Sequence, residues 1–251
     1  MVDWADEEGA RFGMSLFGSS ACSGHLDLEE ARRLQDRYGI ALIDALAEHG
    51  IDFEGLKDSG SELQNAGAYI ELHIEQGPVL LDLDLPPGAV LGTFGVERHA
   101  ITFRGQAAHS GSTPMNRRRD AFLAPAKMSP EIYRIANHYA GVCTIGNCAT
   151  VPGIVTSVVA ECRITLDQRH LDGDALARMV EEAKRSSEQF AKEGDVSVSW
   201  ERLMRIEPIP FDSELVAPCE EAIRETCGAV HTMPSGPLHD AAEVARPASR
   251  R

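Results

Sequence analysis

Apolar and polar positions alternate along several stretches of the chain, and each alternation predicts a half-buried strand. The clearest runs from Val96 to Gly105. A second long one covers Ser157–Leu166, and shorter ones fall at Tyr69–Leu72, Val142–Cys148 and Val196–Trp200. Other stretches repeat their apolar residues at helical spacing: Leu28–Gln35, Ile40–His49, Arg117–Tyr139, Asp172–Glu193 and Asp212–Cys227. Gly50 and Gly228 stand where helix C-terminal caps belong. The opening residues, 1–9, read as the tail of a strand passing into a polar turn, and Pro86-Pro87-Gly88 marks a loop. The helix after Arg117 holds Pro125 and Pro130, each costing about 3 kcal/mol in a helix interior. A break near residues 127–129 is therefore expected, with Ser129-Pro130-Glu131 opening a fresh helix.

The order from 96 to 205 is β-α-β-β-α-β, the ferredoxin-like module. The chain is thus predicted to be α/β, with a domain at 96–205 inserted between residues 1–95 and 206–251 of another. A net charge of −15 disfavours nucleic acid and anionic membranes as partners, because both select clustered Lys and Arg. The six cysteines are scattered and form no CxxC pair, which points to reduced, mostly buried thiols in a cytoplasmic protein. No signal peptide opens the chain, and no apolar run is long enough to span a bilayer.

Candidate chemistry sits at the ends of these elements. Glu7-Glu8 lies in a polar turn, where one carboxylate could coordinate a cation while the other stays free as a base. A solvated face is the plainer alternative. The alternating run ending AYIELHIEQGP delivers His73, Glu75 and Gln76 together just before Gly77-Pro78. An imidazole, a carboxylate and a carboxamide at one strand end can build a metal or substrate site, although a lone strand histidine is also a common structural residue. GQAAHSGSTP puts His109 in a Gly/Ser/Thr-rich loop after a strand, where an imidazole can reach a ligand; an ordinary polar turn would read the same. Arg169 in TLDQRH offers a fork for a carboxylate, or a surface salt bridge. Arg117-Arg118-Arg119-Asp120 reads as a solvated face or a subunit contact.

Together these stretches resemble the hydantoinase/carbamoylase family of metal-dependent amidohydrolases, within the dinuclear zinc aminoacylase and peptidase superfamily. The resemblance is carried by DEEGARFGMSLFGS (6–19), AYIELHIEQGPVL (68–80), GQAAHSGSTPM with RRDA (105–121), ECRITLDQRH (161–170) and MPSG with HDA (233–241), in the family's order. It implies a catalytic domain with two divalent metal ions (zinc, manganese or cobalt), interrupted by a lid that also makes a homodimer. By position, Glu7 would be the general base, Glu8 a ligand of one metal and His73 a ligand of the other. Gln76 would contact substrate, Arg169 would clamp its carboxylate, and His109 would stabilise the oxyanion from across the dimer. The substrate implied is an N-carbamoyl-L-amino acid or a related ureido acid such as allantoate, with an aminoacylase or peptidase as the alternative.

The match also has gaps. Ser157 stands where the family has a substrate-binding asparagine, and Pro237-Leu238 replace a small pair, so Leu238 would intrude on the substrate. The family's His-x-Asp motif before the Glu-Glu pair and its final Ser-His segment find no counterpart here. The resemblance therefore implies an incomplete ligand set and a fragment of weak or no activity. A rival of another class is a non-catalytic, dimerising lid carried on a degenerate catalytic half.

Overall fold

A computed structural model describes residues 1–61 and 63–246. Its helices and strands, in chain order, are α1 (Phe17–Cys22), α2 (Leu28–Ala31), α3 (Leu42–Glu48), α4 (Val79–Asp82), β1 (Ala89–Thr93), β2 (Gly95–Arg104), β3 (Ala108–His109), α5 (Leu123–Tyr139) and β4 (Val142–Val151). They continue with β5 (Ser157–Val158), β6 (Glu161–His170), α6 (Gly173–Glu193), β7 (Ser197–Ile206), β8 (Ile209–Pro210), α7 (Ser213–Cys227), β9 (Thr232–Ser235) and α8 (Asp240–Ala245). Contacts divide the chain into two units, residues 1–93 with 209–251 and residues 94–208. Among the described residues, no helix is long and apolar enough to cross a membrane.

In the first unit β1 lies between β8, antiparallel, and β9, parallel. Helix α7 packs on β1; its N-cap Asp212 accepts from the Glu214 N–H, and Gly228 closes it at φ 80°. Phe17, Ala21, Leu26, Ala31, Leu42 and Phe53 form the apolar cluster of the short N-terminal helices. Gly50, at φ 73°, follows α3 as its spacing predicted.

Two expectations fail in this unit. Neither the opening residues nor residues 69–72 form a strand. The alternation before His73 is real, since Ile70, Leu72 and Ile74 point outward at 75%, 94% and 72% exposure. Among the described residues, however, no strand pairs with this backbone, so it is extended without being part of a sheet.

In the second unit β2, β4, β6 and β7 form an antiparallel sheet in the order β4-β6-β2-β7. The β2–β6 register is unbroken from Gly95↔His170 to Arg104↔Glu161. Helices α5 and α6 pack against each other and against the sheet, over a core that includes Ile101, Phe103, Met128, Ile132, Ile135, Cys162, Ile164, Leu166 and Met179. Helix α6 begins where Asp172 accepts from the Ala175 N–H at 2.7 Å.

Helix α5 corrects two expectations. It starts at Leu123, because residues before it bond elsewhere: the Arg119 carbonyl accepts from Gln106 N–H, and the Ala121 N–H donates to Val159. It also runs unbroken past Pro130. Pro125 sits in the first turn, where the missing N–H has no intrahelical partner to lose. Burial of Ala124, Met128, Ile132 and Ile135 outweighs the one bond lost at Pro130. The predicted strand 157–166 is split: β5 pairs with β3, and β6 continues to His170. Among the six cysteines, only Cys143 and Cys162 are buried, and Cys148 is exposed, contrary to the expectation of mostly buried thiols.

Candidate functional site

Contacts within residues 6–16 set up the acidic turn. Asp6, at φ 50°, lets its carboxylate accept from the N–H groups of Arg11 and Phe12, and the Leu16 N–H donates to Glu7 O at 2.7 Å. Gly9 adopts φ +65°, and a Cβ there would lie 2.6 Å from the Ser15 nitrogen, so only glycine fits. This fixes Glu7 and Glu8 against the segment that follows them.

The extended segment 69–76 supplies the facing wall. Its outward residues are apolar; Tyr69, Glu71 and His73 share the other face, the first two half-buried and His73 exposed. Tyr69 accepts from Trp4 Nε1 and donates to Glu71. Glu71 Oε2 accepts from the Ala241 N–H at 2.6 Å and lies 3.7 Å from His239 Nδ1, an ionic contact too long for a hydrogen bond. His73 places Nδ1 2.7 Å from the Ile74 carbonyl. A carbonyl only accepts, so Nδ1 is the donor here, and Nε2 is the ring nitrogen left for a ligand. The His239 ring lies 5.2 Å from that of His73. Glu75 turns away to cap α4, accepting from the N–H groups of Val79 and Leu80. Gln76 is left in the left-handed region at φ 53°, strain of the kind that collects at ligand-binding positions.

Glu7, Glu8, Ser15, Leu16, His73, Gln76, Pro237 and Leu238 line one cavity of about 310 Å³. All five site residues expected in the first unit (Glu7, Glu8, His73, Gln76 and Leu238) are therefore brought together. Burial, then the charges of Glu8 and Asp240, push the Glu7 carboxyl above the usual carboxylate range, against a smaller opposing pull from His73. Asp240 is raised as well, chiefly by burial. Burial alone would raise Glu71, but the His239 imidazole, the Ala241 N–H and the Tyr69 hydroxyl outweigh it and hold Glu71 low. Glu71, His239 and Asp240 were not read as site residues from the sequence. The signal was present, since Glu71 shares a face with His73 and the HDA triplet carries the other two.

A divalent metal needs a neutral imidazole and ionised carboxylates as its donors. His73 is in the tautomer that a ligand requires, and Glu8 faces the same cavity. Yet among the described residues no three His, Cys, Asp or Glu side chains are grouped to hold a metal ion. A catalytic zinc has three protein ligands. The described residues do not fit a resident metal.

The remaining expected residues lie in the second unit. His109 and Ser157 are register partners across β3 and β5. His109 Nδ1 accepts from the Gly111 N–H at 3.1 Å, which leaves the ring proton on Nε2 as an exposed donor. Arg118 ties this loop by donating to the carbonyls of Ser110 and Thr113. It is thus a loop anchor, while Arg117 and Arg119 are exposed, Arg119 donating Nε to the Asp195 carbonyl. Arg169 Nε donates to Asp167 Oδ1 at 2.7 Å, and Arg98 donates to Oδ2 of the same carboxylate at 2.6 Å.

Comparison with known proteins finds relatives over nearly the whole chain. The profile of Peptidase family M20/M25/M40 matches residues 1–249. An N-carbamoyl-L-amino acid amidohydrolase of Geobacillus stearothermophilus is 33% identical over 246 residues, which is 98% of this chain and 60% of the relative. Allantoate amidohydrolase of Escherichia coli is 30% identical over 243 residues, covering 96% of this chain and 59% of that protein. The crystal structure of a hydantoinase/carbamoylase family amidase from Burkholderia ambifaria superposes with a TM-score of 0.85 at 32% identity, over 97% of this chain and 59% of that one. The chain spans about 60% of the length of the curated relatives it matches.

Proposed function

Because the chain belongs to peptidase family M20/M25/M40, we propose that it represents an amidohydrolase that cleaves the C–N bond of an N-carbamoyl-L-amino acid or a related ureido acid. One observation carries the reading. Glu7, a carboxyl with raised proton affinity, stands beside Glu8 and His73 in a cavity sized for a small molecule. A ureido carbonyl is a weak electrophile, so the attacking water must be deprotonated as it adds and the leaving nitrogen protonated as it departs. Glu7 serves both steps: its carboxylate takes the water proton and then delivers it to nitrogen. Gln76 presents its amide to the substrate, and Leu238 narrows the cavity against bulky side chains.

The second unit takes the other roles in this proposal. His109 offers the Nε2–H donor for the developing oxyanion, Ser157 stands opposite it, and Arg169 is the cation for a substrate carboxylate. We read residues 94–208 as a ferredoxin-like lid and as the dimerising element. The strand order β4-β6-β2-β7 with both helices on the sheet supports that reading. Glu8 and His73 are the donors that the family assigns to two divalent ions, zinc, manganese or cobalt. Two donors are too few to retain either ion. The names of the two relatives divide between N-carbamoyl amino acids and allantoate, and both belong in the test.

The test is ammonia release from N-carbamoyl-L-amino acids and from allantoate, with and without added Zn²⁺, Mn²⁺ or Co²⁺. Turnover is expected, falling by about 10²–10⁴-fold in Glu7→Gln at an unchanged fold. A folded chain that turns over none of these substrates, or a Glu7→Gln variant as active as the parent, overturns the proposal.

A further inference from the structure

Two thiols in the second unit are placed for chemistry that hydrolysis does not use. Cys148 lies on the edge strand β4 and is exposed, while Cys162 lies on β6 and is fully buried. The register sets Cys148 opposite Ile164 and Cys162 opposite Thr150, so the two are diagonal neighbours on one face of the sheet. Their Sγ atoms are 3.6 Å apart. Closing that contact to a disulfide requires about 1.6 Å of approach, since the bond is about 2.0 Å long. Strand β4 is an edge strand: among the described residues β6 alone pairs with it, and its register slips between Ile145 and Asn147, around Gly146.

We propose that Cys148 and Cys162 form a dithiol site for low-molecular-weight aliphatic disulfides, with Cys148 as the entry thiol and Cys162 as the resolving one. Cys148 loses its proton and its sulfur attacks one sulfur of R–S–S–R, forming Cys148–S–S–R and releasing one thiolate. Cys162 then loses its proton and attacks the Cys148 sulfur, expelling the second thiolate and forming the Cys148–Cys162 bond. The protein dithiol is oxidised by two electrons and the small disulfide is reduced to two thiols, so the exchange balances with no further reagent. Burial and the neighbouring Cys148 push the Cys162 thiol up to about 12, which keeps it inert toward reagent in solution. The thiol in reach of it is Cys148, 3.6 Å away. The resolving step is accordingly the slower one. Cys143, also on β4, is pushed up to about 11 and accepts from Gln168 Nε2, so it stays a bystander. The product ties the edge strand to its neighbour.

The probe is oxidised glutathione, added to the fully reduced chain without air and followed by alkylation and peptide mapping at timed intervals. A glutathione adduct at Cys148 is expected first. It then decays into a cross-linked pair of peptides containing Cys148 and Cys162, in a protein lighter by two hydrogen atoms than the reduced chain. The oxidised chain unfolds at a higher urea midpoint. In Cys162→Ala the Cys148 adduct accumulates and persists. The proposal is overturned if the adduct is as long-lived in the parent as in Cys162→Ala, if Cys162 reacts first, or if other cysteines take the probe while Cys148 does not.

Discussion

His99 gives the second unit a measurable dependence on pH. It is 2% exposed on β2, edge-on to Trp200 at 5.1 Å, and among the described residues its Nδ1 finds no hydrogen-bond partner. Burial, reinforced by the charges of Lys184 and Arg202, lowers its pKa from 6.5 to about 4. The Glu97 carboxylate, 3.5 Å from Nε2, pulls the other way, but Arg202 at 3.4 Å and Arg205 at 3.6 Å already compete for it. Between pH 6.5 and 4 the unfolded chain therefore binds a proton that the folded chain refuses. Stability from this group is fully present above pH 6.5 and is lost as the pH falls toward 4. At about 1.4 kcal/mol per pH unit the loss approaches 3 kcal/mol. Urea unfolding of the parent and of His99→Phe between pH 4 and 7.5 isolates the effect, because carboxylates common to both proteins cancel in the difference. The parent should lose about 3 kcal/mol more than the variant on acidification. A flat difference, or a His99 ring titrating near 6.5 by NMR, refutes the reasoning.

Two further outcomes follow from particular residues. Pro130 is exposed and leaves α5 one N–H short, so Pro130→Ala should raise stability by about 1–3 kcal/mol in urea unfolding; no change or a loss would show that the helix does not strain there. After dialysis against zinc and then buffer, the chain should retain well under one zinc ion by elemental analysis, far short of the about 10–16 kcal/mol binding of a complete structural site; one or two retained ions would contradict the donor count.

Helix α6, helix α7 with Gly228 and the long strand β2 were legible because capping residues and periodicity agreed there. The extended segment before His73 was half legible. Alternation told which side chains share a face, and the structure keeps Tyr69, Glu71 and His73 on one face, opposite Ile70, Leu72 and Ile74. Alternation does not say whether another strand lies alongside, and none does among the described residues. The continuity of α5 was illegible for a different reason. The cost of Pro130 is local and visible in sequence, whereas the burial that outweighs it comes from β4, β6 and α6. At the cavity, Glu7, Glu8, His73 and Gln76 were readable from short motifs. The bond from Ala241 N–H to Glu71, between residues 170 positions apart, was not.

The cavity holding the acidic turn is the proposed substrate site, and ligand binding observed residue by residue tests that most directly. ¹⁵N-labelled protein titrated with N-carbamoyl-L-alanine should show its largest amide shifts at Glu7, Glu8, Leu16, His73, Gln76 and Leu238. Saturable binding that leaves those amides unmoved and shifts others elsewhere would contradict it.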